Sequence, residues 1–180
     1  AEAEEALATA INGVAPAAMA EACAALRIPL VHISTEYVFD GGGTRPFAPN
    51  DATAPQNAYG RSKLAGEQGV RATDASHAIL RTSWVFSAHG TNFVKTMLRL
   101  GRERDELSVV ADQQGCPTSA ASIARALWTL AQQYRDSGAL QWGLYHYSGM
   151  PACSWHGFAQ EIFAQAHELG ILPQVPVVHG

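Results

Sequence analysis

Cysteine, clustered basic residues and long apolar runs are all scarce in this chain of 180 residues. The three cysteines, Cys23, Cys116 and Cys153, are odd in number and far apart, which favours reduced thiols over a disulfide framework and indicates no zinc site. A formal net charge of -4 without a Lys/Arg cluster argues against a nucleic-acid partner. No apolar run approaches the roughly 20 residues that span a bilayer, so we expect no membrane partner and a cytoplasmic location.

Two further features are missing, an initiating Met and a glycine-rich phosphate turn of the form GxxGxxG. The chain opens on "AEAEEALATA", which is acidic, unlike a secretory signal, and continues a helical pattern without a cap, so we expect a fragment. The run Gly41–Gly43 follows a predicted strand but opens a proline-rich loop. Because it does not lead into a helix, it cannot place a pyrophosphate on a helix N-terminus.

What the chain does contain is typical of a globular protein, with 47% hydrophobic and 16% charged residues, and its length favours one domain. Short apolar runs alternate with helical patterns, which predicts parallel βαβ units and a doubly wound α/β sheet. The predicted strands are residues 29–34, 77–86, 107–112 and 143–149, and the predicted helices are residues 12–28, 58–73, 91–103, 119–134 and 154–170.

The stretch "NAYGRSKLAGEQ" places Tyr59 and Lys63 four residues apart on one face of a predicted helix. A nearby ammonium group lowers the pKa of a phenol, and such a phenol can protonate a carbonyl oxygen as hydride arrives at the carbon. The same spacing also arises by chance, and both side chains are then exposed to solvent on the helix surface without a catalytic role. The pair alone therefore leaves both interpretations open.

Hydroxyl groups at the ends of two strands favour the catalytic interpretation. Ser34 and Thr35 close the first predicted strand, and a long loop connects them to the helix of Tyr59. Ligands of open α/β sheets bind at the carboxyl ends of strands, although a hydroxyl there can also simply cap the strand. Residues 81–84, "RTSW", lie at the end of the next strand, where a tryptophan is either a ligand contact or part of the core.

Six blocks in this order resemble the dTDP-4-dehydrorhamnose reductases of the extended short-chain dehydrogenase/reductase superfamily. They are "STEYVFDG", "YGRSKLAGE", "ILRTSWVF", "NFVKTMLRLGRERDELSVVADQQGCPT", "GLYHYSG" and "SWHGFAQEIF", and they extend over residues 12–170. The resemblance implies a partial Rossmann-like fold that lacks its first three strands. It implies dinucleotide-fold elements over residues 1–90 and mixed Rossmann and substrate-side elements over residues 91–180.

The resemblance also implies roles for individual residues. Tyr59 is the expected proton donor to the C4 carbonyl of a keto sugar, Lys63 lowers its pKa and holds the nicotinamide ribose, and Thr35 tunes Tyr59. Glu36 stands where the family usually has Asp, which shifts its carboxylate by one methylene group. The implied cofactor contacts are Tyr59, Lys63, Arg81, Thr82 and Ser83, and the implied substrate contacts are Thr35, Glu36, Tyr37, Trp84, Asn92 and Thr118.

The family resemblance implies NADP(H) or NAD(H) as cofactor, possible use of Mg, a nucleotide-sugar substrate and a homo-oligomer. Without the phosphate turn we expect this chain to bind NADPH weakly or not at all and to be inactive alone. With three strands absent, "LVHIS" becomes an apolar sheet edge, which predicts self-association. Two alternatives stay open, a non-catalytic relative like the regulatory subunit of methionine adenosyltransferase and a nucleotide-sugar epimerase.

Overall fold

The computed structural model describes all residues from Ala1 to Gly180, and the chain divides into two compact units. The first unit consists of Ala1–Thr82 and Leu127–Tyr147, and the second of Ser83–Ala126 and Ser148–Gly180. The first unit thus ends before residue 90 and takes a later segment as well. The predicted α/β class with parallel strands is confirmed.

Six α-helices and nine strands make up the two units. The helices are α1 Glu5–Thr9, α2 Ala15–Leu26, α3 Ala58–Arg71, α4 Phe93–Glu103, α5 Ala120–Ser137 and α6 Trp155–Glu168. The strands are β1 Leu30–Thr35, β2 His77–Thr82, β3 Val85–Phe86, β4 Glu106–Ser108, β5 Gln114–Gly115, β6 Thr118–Ser119, β7 Gly143–His146, β8 Cys153–Ser154 and β9 Val177–His179.

The first unit is built on a parallel three-stranded sheet in the order β1-β2-β7. The apolar run of β2 is buried along nearly its whole length, as expected of a central parallel strand. Ile79 of β2 packs in a core with Ala20 of α2 and Val70 of α3, which places both helices against the sheet. The register pairs Thr35 with Thr82, so the carboxyl ends of β1 and β2 lie side by side.

Helix α3 begins where Asn57 caps it, because the Asn57 side chain accepts a hydrogen bond of 2.7 Å from the Gly60 amide. Two glycines of α3 lie so close to the backbone of neighbouring segments that there is no room for a side chain at these positions. A Cβ on Gly66 would lie 2.1 Å from the Asn12 carbonyl oxygen, and one on Gly60 would lie 2.1 Å from that of Tyr37. The start of α3 is therefore held directly against the turn that follows β1.

The first helical segment is continuous from Glu2 to Leu26 and includes a π-helical turn between α1 and α2. By length and composition alone it could cross a membrane, although no apolar run in the sequence suggests a span, and helices of soluble proteins meet the same test. Asn12 donates a hydrogen bond to the Ser62 hydroxyl of α3, while Leu7, Ile11 and Val14 are exposed. The expectation that no membrane is a partner stays a prediction.

The second unit contains three two-stranded pairings, parallel β3-β6, parallel β4-β9 and antiparallel β5-β8. Its core lies between α4 and α6, whose Met97 and Phe163 are buried together with Leu107 and Leu172. Two predicted strands differ from the structure. Residues 77–86 do not form one strand, because the backbone turns at Trp84, and residues 107–112 contribute only to the short strand β4, which pairs with β9.

Candidate functional site

The carboxyl ends of β1 and β2 carry three buried hydroxyl groups, those of Ser34, Thr35 and Thr82. The Ser34 Oγ and the Thr82 Oγ1 atoms are buried without a hydrogen-bond partner. Buried polar atoms in folded proteins are nearly always paired, and unpaired ones mark strain or a place where a further group binds. This end of the sheet therefore has unused hydrogen-bonding capacity.

Thr35 connects the end of β1 to the residues around it. Its hydroxyl donates to the Glu36 carboxylate at 3.1 Å and accepts from the Tyr37 amide at 3.3 Å. The Thr35 side chain also acts on the Tyr59 phenol, where it opposes a rise in the pKa of Tyr59. Thr35 thus joins the end of β1 to the turn that follows and lies beside Tyr59, and its implied role in tuning Tyr59 stays a prediction.

Tyr59 lies in the first turn of α3 and is 40% exposed. Its ring meets that of Tyr37 edge to face, with 5.9 Å between centroids. Burial raises the pKa of Tyr59, and the Glu36 and Tyr37 charges add to this rise, whereas the Thr35 side chain opposes it. The net direction is upward, which differs from the lowering expected of Lys63, and that role of Lys63 stays a prediction.

Lys63 explains that difference. Its ammonium group donates to the Ile33 carbonyl oxygen at 2.5 Å and does not contribute to the pKa shift of Tyr59. Burial lowers the pKa of Lys63 itself, while the Glu67 carboxylate opposes that shift. The helical spacing correctly placed the two side chains on one face, but it could not show which acceptor the ammonium group takes.

Arg81 forms a buried ion pair with Glu67 of α3, through contacts of 2.6 and 2.8 Å. The two side chains are 3% and 1% exposed. The guanidinium also donates to the Pro49 carbonyl oxygen at 3.1 Å and lies 4.9 Å from the centre of the Phe39 ring. All these partners belong to the chain, so Arg81 has a structural role, and its implied cofactor contact stays a prediction.

The loop of residues 40–57 is fixed by several such contacts. Arg45 and Asp51 form a bidentate ion pair at 2.7 and 3.0 Å, and this pair together with the Ala48 amide lowers the pKa of Asp51 to about 2. Phe39 and Phe47 stack with 4.3 Å between ring centroids. The loop therefore leads from the end of β1 to Tyr59 along a defined course.

In the second unit, Ser83 and Trp84 follow the end of β2. The Ser83 hydroxyl donates to the Cys116 carbonyl oxygen at 2.7 Å, and its implied cofactor contact stays a prediction. Trp84 adopts a left-handed backbone conformation with φ of 43° and stacks on Trp155 at 3.5 Å between centroids and 9° between planes. A left-handed tryptophan is a genuine outlier and persists only where its surroundings impose it.

The side chains of two other implied substrate contacts, Thr118 and Asn92, form hydrogen bonds within the chain. Thr118 is 1% exposed, and its hydroxyl donates to the Cys116 carbonyl at 2.9 Å and accepts from the Gly149 amide at 3.0 Å. Thr118 therefore has a structural role, and its implied substrate contact stays a prediction. Asn92 caps α4 through the Lys95 amide and donates to the Ser87 carbonyl, which leaves it only part of its hydrogen-bonding capacity.

The sequence-predicted residues thus fall into two sets, one in each unit. Sequence reasoning missed two residues, Glu67 and Trp155, although both lie inside recognised blocks. Glu67 follows Lys63 by four positions on the same helix face, and that spacing was the available signal. The first unit holds Thr35, Glu36, Tyr37, Tyr59, Lys63, Arg81 and Thr82, and the second holds Ser83, Trp84, Asn92 and Thr118.

No group of three or more His, Cys, Asp or Glu side chains is arranged to hold a metal ion. All three cysteines are free. The side chains that remain for chemistry in the first unit are a neutral phenol, a cationic amine and a set of hydroxyls at one end of a parallel sheet. Such a set can donate a proton to a carbonyl oxygen and hydrogen-bond a polar ligand.

Comparison with known proteins identifies the family of the chain. A family model described as the RmlD substrate binding domain matches residues 1–177. The dTDP-4-dehydrorhamnose reductase of Sinorhizobium fredii is 48% identical over 170 residues, which are 94% of this chain and 57% of that protein. The chain therefore spans little more than half the length of this curated relative.

Two crystal structures resemble the chain closely. The dTDP-4-dehydrorhamnose reductase of Bacillus anthracis in complex with NADP has a TM-score of 0.87 and 40% identity, over 99% of this chain and 59% of that one. The ortholog from Clostridium acetobutylicum has a TM-score of 0.86 and 39% identity, over 98% of this chain and 59% of that one. The family resemblance seen in the sequence blocks is confirmed.

Proposed function

The chain belongs to the family described as the RmlD substrate binding domain, and from that membership we propose that it is part of an NAD(P)H-dependent dTDP-4-dehydrorhamnose reductase. The proposed reaction converts dTDP-4-dehydro-6-deoxy-L-mannose to dTDP-L-rhamnose. The observation that carries the proposal is the placement of the Tyr59 phenol beside the Thr35 side chain at the carboxyl end of β1, with Lys63 one turn further along α3. The names of the relatives support the substrate.

The proposed chemistry assigns the proton to Tyr59. Reduction of a ketone adds one hydride to the carbonyl carbon and one proton to its oxygen, and bound NAD(P)H supplies the hydride. The raised pKa of Tyr59 keeps the phenol protonated at neutral pH, which is the form a proton donor needs. Thr35 lies beside Tyr59, and in this proposal its hydroxyl forms a hydrogen bond with the same carbonyl oxygen.

The residues present fit the nicotinamide end of a dinucleotide. Lys63 carries an ammonium group near the carboxyl end of β1, and such a group can donate hydrogen bonds to the hydroxyls of a ribose. The unpaired hydroxyls of Ser34 and Thr82 offer further donors and acceptors at the same strand ends. We assign the cofactor to this edge through Tyr59, Lys63 and Thr82, with Ser34 added to the set.

On the substrate side we propose Glu36 and Tyr37 as contacts of the sugar in the first unit. Tyr37 is exposed, and Glu36 is only partly buried although it accepts the Thr35 bond. In the second unit we propose Trp84 and the remaining hydrogen-bonding capacity of Asn92. Each of these assignments rests on the family resemblance together with the accessibility of the side chain.

We further propose a cytoplasmic homo-oligomer without nucleic-acid or membrane partners. The net charge of -4 and the three free cysteines support a reduced compartment and no broad nucleic-acid footprint. Exposed apolar side chains on the first helix, Leu7, Ile11 and Val14, support a contact between protein chains. Analytical ultracentrifugation tests the oligomer.

The function is tested by following NADPH oxidation with dTDP-4-dehydrorhamnose as substrate. The assay uses this chain and, in parallel, a form extended to the length of its relatives. Turnover in either form supports the reductase. A folded extended protein that binds the nucleotide sugar without oxidising NADPH contradicts the proposal and favours the non-catalytic regulatory alternative. Formation of an epimer without net oxidation favours the epimerase.

A further inference from the structure

Trp84 is held on both faces of its indole, within the second unit alone. Trp155 covers one face, with the two rings nearly parallel and 3.5 Å apart. Gly115 approaches the indole as well, because a Cβ built on it would lie 2.2, 2.5 and 2.6 Å from Cε2, Cζ2 and Nε1 of Trp84. We call Trp84, Trp155 and Gly115 the indole clasp.

The distances show that Gly115 lies over a ring face. Cε2 is bonded to both Cζ2 and Nε1, and a position in the ring plane beyond Cε2 would be nearer to those two atoms than to Cε2. The position on Gly115 is nearest to Cε2 itself, so it lies above the plane. None of the three nearest atoms belongs to Trp155, although that ring is stacked directly on Trp84, so Gly115 covers the opposite face.

Backbone contacts also fix the residues of the clasp. Trp84 accepts a hydrogen bond of 3.2 Å from the Thr118 amide at its own carbonyl, and Gly115 pairs with Cys153, two residues before Trp155. These contacts impose the left-handed φ of 43° on Trp84. Since Trp84 is only half-buried, the part that remains for a ligand is the ring edge rather than a face.

We infer that Gly115 and Trp155 are positioning residues that make Trp84 present its indole edge to the sugar of the nucleotide-sugar substrate. This inference rests on the proposed function and adds to it a mode of recognition. An indole edge offers a single N–H donor and aromatic C–H groups, whereas an indole face stacks on the apolar side of a sugar ring. The clasp thus selects a hydrogen-bonding contact and excludes stacking on either face.

The test uses the full chain and two independent readouts. Stacked tryptophans give an exciton couplet in circular dichroism, which reports the clasp without any ligand. Binding of dTDP-L-rhamnose by titration calorimetry reports the function. Gly115→Ala forces the indole to move and should reduce the couplet and weaken binding about tenfold, a loss typical of one displaced hydrogen bond.

Matched variants separate positioning from folding. Gly157→Ala is the glycine control, because its Cβ would meet atoms no closer than 3.5 Å, and Trp128→Phe is the tryptophan control, since Trp128 is 64% exposed. Both should leave the couplet and the affinity unchanged. Trp155→Leu should weaken binding like Gly115→Ala, and Trp155→Phe should restore most of the affinity because a flat ring returns to the same face.

The outcomes distinguish the positioning role of Gly115 and Trp155 from the proposed reductase function. Tight binding by the wild-type chain with equal affinity in Gly115→Ala and Trp155→Leu overturns the positioning role and leaves the reductase proposal intact. A wild-type chain that shows no couplet overturns the clasp. A wild-type chain with the couplet that fails to bind dTDP-L-rhamnose counts against the proposed function and overturns this inference with it.

Discussion

At the scale of single residues, the surroundings of Tyr59 and Lys63 determine the pKa of the phenol and the hydrogen-bond partner of the ammonium group. Tyr59 and Lys63 keep the helical spacing expected of them, yet the pKa of Tyr59 is raised and the ammonium group of Lys63 is bound to the Ile33 carbonyl. Burial and carboxylate charge outweigh a single hydroxyl contact, because desolvation acts on the whole phenolate. The sequence identified Tyr59 and Lys63 as the residues involved, whereas the direction in which the pKa of Tyr59 shifts depends on the fold.

His32 gives a prediction at this scale. Burial, with the charge of Lys63, lowers the pKa of His32 to about 4, while Glu67 opposes the shift. Between the ordinary value of 6.5 and about 4, the unfolded chain binds a proton that the folded chain does not. The free energy of unfolding should therefore fall as pH drops through that window, by about 1–2 kcal/mol after allowance for partial solvent access, and then level off.

Urea denaturation of the wild type and of His32→Gln at pH values across the window measures this effect. The variant should lose most of the pH dependence in that range. His89→Gln, at an exposed histidine, is the matched control and should keep it. Equal slopes for the wild type and His32→Gln would show that His32 is not the group responsible.

At the scale of secondary-structure elements, the Glu67–Arg81 pair joins α3 to β2 and to the loop before α3 through the Pro49 carbonyl. Removing one partner of a buried pair leaves an uncompensated charge, so Glu67→Gln should lower the free energy of unfolding by about 3–5 kcal/mol. Replacing both residues, as Glu67→Leu with Arg81→Met, should cost less than the sum of the two single changes, because no charge is left unpaired.

Urea denaturation checks these values, with an exposed pair as control. Arg99 and Glu103 form an i,i+4 ion pair on the surface of α4, and Glu103→Gln should cost no more than about 0.5 kcal/mol. If Glu67→Gln is as mild as Glu103→Gln, the buried pair does not hold these elements together.

Much of the arrangement of elements could be predicted from the sequence. The helical pattern located α3, and the apolar run located β1, because both signals are local. The break at Trp84 could not be predicted, since it depends on Gly115 and on Trp155, which lie far away along the chain. The structural roles of Arg81 and Thr118 were missed for the same reason, as their partners are set by tertiary packing.

At the scale of the whole molecule, one side of β1 has no neighbouring strand, because the sheet order is β1-β2-β7. Val31 on this strand and Ile11 on the first helix are exposed apolar side chains. Unpaired strand edges and apolar surfaces favour association with other chains, so we predict self-association at micromolar concentration. A lysine on an edge strand discourages pairing, and Val31→Lys should therefore reduce it if the edge is used.

Sedimentation velocity distinguishes the two surfaces. Loss of association in Val31→Lys but not in Ile11→Lys assigns the contact to the sheet edge, and the reverse assigns it to the helix. A wild-type chain that sediments as a single monomeric species contradicts the prediction.

The central claim, that Tyr59 is the proton donor of a dTDP-4-dehydrorhamnose reductase, is tested most directly by one comparison. NADPH oxidation with dTDP-4-dehydrorhamnose is measured for the chain extended to the length of its relatives, as wild type, Tyr59→Phe and the control Tyr134→Phe. We predict turnover in the wild type and the control, and a loss of about 100-fold or more in Tyr59→Phe, as for removal of a general acid. Equal turnover in Tyr59→Phe and the wild type would contradict the account.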